Sequence, residues 1–208
     1  MKYVAIWIAV AMIIMFGLQA IYGTDVFVLD ETIMFEQPYR ILTSILAHGS
    51  LAHLMGNLFS LLLFGLILEG RIGGKRTLMI FILSGIGINL LLPFMPYSRV
   101  LGASGAIFAL MGVLVSLRPM MTIFLGFVPL PMFIAAIIWV VQDLLGVFYP
   151  TNVANIAHLA GLFMGLMIGL HLRNEKFGDK IKIFEGKNHE DKKLDRELDD
   201  YERRTGMR

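Results

Sequence analysis

Ser104 stands between glycines in the run Gly102-Ala103-Ser104-Gly105, and His158 opens a second glycine-bearing run, AHLAGLFMG over 157–165. A serine hydroxyl is a poor nucleophile until a base takes its proton, and a neutral histidine is the usual agent. Together the two could carry out acyl transfer. Taken singly they decide nothing: Ser104 could simply cap a helix beside packing glycines, and His158 could bond a neighbouring carbonyl. His53 and Asn57 lie four residues apart, hence on one helical face. Both can donate hydrogen bonds, either to an oxyanion or between helices, where each bond is worth ~0.6–2 kcal/mol. His48, just upstream, either supports that face or sits at an interface. His48, His53 and His158 could in principle bind zinc, but the spacing sets no acidic ligand beside them, so no metal or other cofactor is expected. The chain has no cysteine, which excludes disulfides and thiolate sites.

The elements that must position these groups belong in a bilayer. Of 208 residues 57% are apolar and 16% charged, with mean hydropathy +0.72, far from the roughly one-quarter charged residues of soluble domains. Apolar stretches near 4–22, 51–69, 77–94, 104–117, 130–147 and 153–172 predict six membrane-spanning helices. The first is expected to be a retained span, because its apolar run exceeds the ~7–15 residues of a signal peptide core. The basic connection Arg71–Arg76, Arg118, Lys2 and the tail share one side, which the positive-inside rule makes cytoplasmic; both termini then lie there. Residues 173–208 are dense in alternating charge and read as a solvated cytoplasmic tail.

The fourth stretch, closed by Arg118-Pro119, is short. About 14 helical residues span roughly 21 Å against a ~30 Å hydrocarbon core, so Ser104 should lie inside the membrane's depth. Non-helical backbone at that depth must be buried in protein or line a wet cavity. The free N–H groups and positive dipole end of the helix would face an oxyanion forming there. Gly102 and Gly105 leave room for substrate backbone. Gly161, Gly165 and Gly169 share a face with His158 and permit close approach to another helix, with Gly105, Ala109 and Gly112 as a compatible partner face. Asp143 reads as an interface residue, and Trp139 and Phe133 as a movable wall on the fifth span.

The pair Tyr39-Arg40, the string HGSLAHLMGN over 48–57, GASG and AHLAGLFMG, in that order, resemble the rhomboid family of intramembrane serine proteases over about residues 1–172. The resemblance implies an all-α, six-helix membrane bundle in the cell membrane, with a first loop lying partly in the outer leaflet. It implies Ser104 as nucleophile and His158 as base and then acid, with His53, Asn57 and the Ser104 N–H holding the oxyanion and no third carboxylate. Glu69 and Arg71 are implied as a structural cluster. Implied partners are single-span membrane protein substrates and the lipid bilayer, with no nucleic acid; the oligomeric state is left open. Tyr39 departs from the family's more frequent tryptophan, which touches loop anchoring and not the chemistry. The competing expectation is a non-catalytic, client-binding scaffold or pseudoprotease; a transporter is disfavoured by the absence of a repeat.

Overall fold

The computed structural model describes residues 2–149 and 154–174. The chain divides into a unit of Met1–Leu170 and a second of His171–Arg208. The charged tail expected from residue 173 lies, beyond Asn174, outside the described residues. The described residues are mostly helical: α1 Val4–Tyr22, α2 Arg40–Leu46, α3 Leu51–Ile72, α4 Gly74–Leu90, α5 Ser104–Leu117, α6 Met132–Phe148 and α7 Asn155–Asn174. Two antiparallel ribbons join them, β1 Leu29–Asp30 with β2 Arg99–Val100, and β3 Thr122–Leu125 with β4 Val128–Pro131. By length and composition α1, α3 and α7 can each cross a membrane, and α5 and α6 are shorter apolar helices.

Local chemistry sets the helix ends. Ser50 caps α3 by accepting the His53 N–H at 3.1 Å, and the helix stops at Gly73, whose φ of 86° suits glycine. Helix α5 begins just after Gly102, at φ 116°, and ends at Arg118 ahead of Pro119. Ten of its 14 residues are buried. A helix apolar on every side belongs in the middle of a bundle, and α3, α4, α6 and α7 pack against it. Against α7 the fit is glycine-made. A β-carbon on Gly161 would collide with the Gly105 carbonyl oxygen, one on Gly165 with that of Ala109, and one on Gly169 would lie 2.6 Å from Ser116 Cβ. Close backbone approach through small residues is how membrane helices gain packing without a hydrophobic drive.

The segment 23–50 is more structured than a loop. It contains α2 and pairs Leu29 with Val100 and Asp30 with Arg99, so the segment leading to Ser104 is tied to it. Buried Arg40 is its staple, donating to the carbonyls of Asp25 (2.6 Å) and Val28 (2.8 Å) and to Gln37 Oε1 (2.7 Å). Beneath, Leu29, Met34 and Leu92 form a small core of their own.

Two expectations need correction. The fifth helix does not start at 130: residues 122–131 form a hairpin, in which Pro129 and Pro131 occupy β4 of a two-stranded ribbon, where a missing N–H is tolerated. Glu69 and Arg71 do not cluster. Glu69 Oε2 instead accepts the backbone N–H of Ala5 at 3.2 Å, satisfying an orphan donor at the positive end of α1, while Arg71 is exposed and forms no ion pair among the described residues.

Candidate active site

Ser104 is the first residue of α5, and the turn before it is held by the Gly102 N–H donating to the Ser44 carbonyl at 2.8 Å. It is half-buried and opens on a cavity of about 1080 Å³. His158 from α7 and His53, Asn57 and Ser60 from α3 line the same cavity, so three helices contribute polar side chains to one chamber. Ser104 and His158 therefore line one cavity. Among the described residues the Ser104 hydroxyl makes no hydrogen bond, to His158 or to anything else, so it remains free to engage a substrate carbonyl; hydrogen bonds of this kind often tighten only with substrate bound.

The ring of His53 presses on the serine's turn. A β-carbon on Gly102 would lie 2.7 Å from His53 Cε1 and 2.9 Å from Nε2, so glycine is required at 102 both by that contact and by its φ. Asn57 is buried and donates one amide hydrogen to the His53 carbonyl at 3.1 Å, which leaves its second for a ligand. His48 lies behind, fully buried, with its ring edge-on to His53 at 5.0 Å. Its backbone N–H and C=O are both bound by the Gln19 side chain, at 2.9 and 3.1 Å, which ties α1 to this corner. Burial, and secondarily the neighbouring His53, push the His48 pKa down to about 4. It is a neutral prop, with Nδ1 against the Leu46 carbonyl at 3.0 Å. Of the glycines singled out, Gly161 packs on the Gly105 backbone and so sets the separation of α5 and α7 beside Ser104.

Three residues of this site escape a reading by motif. Phe108, one helical turn after Ser104, stacks on His158 with centroids 4.4 Å apart and planes 9° from parallel. Tyr97 accepts the Ala157 N–H at 3.1 Å and joins the cavity wall. The third is Asp143, which is 5% exposed, with Oδ1 3.0 Å from His158 Nδ1. A carboxylate does stand beside the histidine. Two signals could have found the first and third of these, the i, i+4 offset of Phe108 from Ser104 and the lone charge of Asp143 in an apolar span; none marks Tyr97. Trp139, expected at a movable wall, packs edge-on to Phe64 of α3 at 5.7 Å.

A family profile for the Rhomboid domain matches residues 36–175. RHOMBOID-like protein 4 of Arabidopsis thaliana is 30% identical over 157 residues, covering 74% of this chain and 38% of the relative. RHOMBOID-like protein 6, mitochondrial, of the same plant is 28% identical over 143 residues, 68% of this chain and 46% of the relative. Rhomboid-like protease 3 of Toxoplasma gondii is 33% identical over 119 residues, 51% of this chain and 45% of the relative. The chain thus spans less than half the length of each of these relatives.

Proposed function

The chain belongs to the rhomboid family of multi-pass membrane proteins, and from that premise we infer that it is an intramembrane serine endopeptidase cleaving single-span membrane proteins near the outer membrane face. The observation that carries the reading is the convergence of Ser104, at the N-terminus of a short buried helix, with His158, His53 and Asn57 on one cavity. Ser104 Oγ attacks a peptide carbonyl while His158 takes its proton. The tetrahedral oxyanion forms at the positive end of α5, within reach of the Ser104 N–H, the free amide hydrogen of Asn57 and the His53 ring. His158 then protonates the leaving amine, and water resolves the acyl-enzyme by the reverse sequence.

In this reading residues 1–172 form the catalytic membrane domain with six crossings, and residues 173–208 a cytoplasmic tail on the same side as the N-terminus, in the cell membrane. A substrate helix must unwind before its carbonyl is open to attack, so substrates carry Gly, Pro or other helix-weakening residues near the cut.

Purified wild type, Ser104→Ala and His158→Ala protein in detergent, each incubated with a reporter carrying one Gly-containing transmembrane helix, test this. Cleavage by wild type alone supports the protease. Equal binding of the reporter by all three, with no cleavage by any, supports the client-binding scaffold instead.

A further inference from the structure

We propose that Asp143 is a positioning residue whose carboxylate, reaching from α6 to α7, holds His158 as the tautomer protonated on Nδ1. Nε2 is then left with the lone pair that base catalysis requires. The inference rests on His158 being the base for Ser104, and its test separates the two.

Asp143 is the one charged residue of α6, in the otherwise apolar run MFIAAIIWVVQDLLGVF. It is 5% exposed, and the facing His158 side chain is 12% exposed. An ionised carboxylate is costly to keep away from water inside a membrane bundle, and such residues are found paired or lining a pathway. Asp143 has a single polar attachment among the described residues, its Oδ1 at 3.0 Å from His158 Nδ1; its Oδ2 is buried without a partner. Packing or interhelical adhesion alone would be served as well by a neutral side chain.

The two ring nitrogens of a histidine are chemically distinct, and a partner at one decides the state of the other. A carboxylate at Nδ1 accepts a hydrogen bond and so selects the Nδ1–H form. A neutral carboxylic acid would instead donate to Nδ1 and leave the proton on Nε2, where it blocks base catalysis. The Phe108 stack fixes the ring plane, and Asp143 fixes which edge faces α6. When the Ser104 proton moves to Nε2 the ring becomes a cation, and the same carboxylate stabilises it without itself changing protonation. The other titratable groups near the ring are His53 of α3 and the Tyr97 hydroxyl, which is held by the neighbouring Ala157 N–H.

The test combines kinetics with ¹⁵N-histidine NMR on the full chain in detergent. Asp143→Asn should lower kcat by at least about thirtyfold with KM and the unfolding midpoint little changed, and should cause no further loss when added to His158→Ala. Wild-type His158 should show protonated Nδ1 and unprotonated Nε2 at neutral pH, with a far-downfield Nδ1 proton that Asp143→Asn abolishes. A wild type that cleaves, with Asp143→Asn equally fast, overturns the inference and leaves the protease reading intact. A His158 found as the Nε2–H form overturns it even if Asp143→Asn fails to fold. If no cleavage occurs in any variant but the Nδ1–H signature is present, the protease reading falls while the positioning of His158 by Asp143 stands.

Discussion

The Phe108 ring lies flat on the His158 imidazole, 4.4 Å between centroids, and Phe108 stands one helical turn from Ser104 on α5. Neighbours at i and i+4 share a helix face, so the stack carries the imidazole of α7 to the face on which the serine sits. It also fixes the plane of the ring.

Truncating that stack should loosen the imidazole without unfolding the bundle. Phe108→Ala is expected to lower kcat roughly two- to twelvefold, the equivalent of the ~0.5–1.5 kcal/mol that aromatic pairs contribute beyond area burial. KM should change little. Phe108→Tyr should keep most of the rate; reporter kinetics with both variants check the pair.

Gly161→Ala should be destabilising, because the added carbon meets the Gly105 carbonyl oxygen, which is backbone and cannot swing away. Overpacking of this kind costs about 1–3 kcal/mol, and the shift of Gly105 should move Ser104 and depress cleavage. Gly17→Ala on α1 is the control, since a β-carbon there meets nothing within 4 Å. Thermal unfolding in micelles compares them.

Stability should decline as pH falls from about 6.5 towards 4. His48 is buried and neutral in the folded protein, with its pKa pushed down to about 4 from an ordinary 6.5. The unfolded chain therefore binds a proton there first, and the folded state loses ground between the two values, by at most about 3–4 kcal/mol. A His48→Gln variant should show a flatter pH dependence of its unfolding midpoint over that interval, whatever its stability at pH 8.

Arg40→Lys should release segment 23–50. A single ammonium cannot reach the carbonyls of Asp25 and Val28 and the Gln37 side chain together as the guanidinium does. Limited proteolysis between residues 24 and 38 should quicken severalfold, with the helices beyond α2 still protected.

Much of the site was legible in the chain because its signals are local. Ser104 between glycines, the i, i+4 pair His53 and Asn57, and the glycine stripe beside His158 each depend on residues close in sequence, and helical periodicity alone puts them on a face. Segments 4–22, 51–69 and 104–117 become helices close to the ranges their apolar runs mark. Sequence by itself determined which side chains could do chemistry and roughly which helix carries each.

Tertiary structure decided which of those side chains meet. How far α6 is rotated, and how closely α7 approaches α5, bring Asp143 to His158 and Phe108 beneath its ring, across separations of 15 and 50 residues. Glu69 likewise finds the start of α1, 64 residues away, and not the nearby Arg71. Periodicity says which residues share a face, but the rotation of one helix against another is set by the summed packing of the whole bundle. No local pattern encodes that sum.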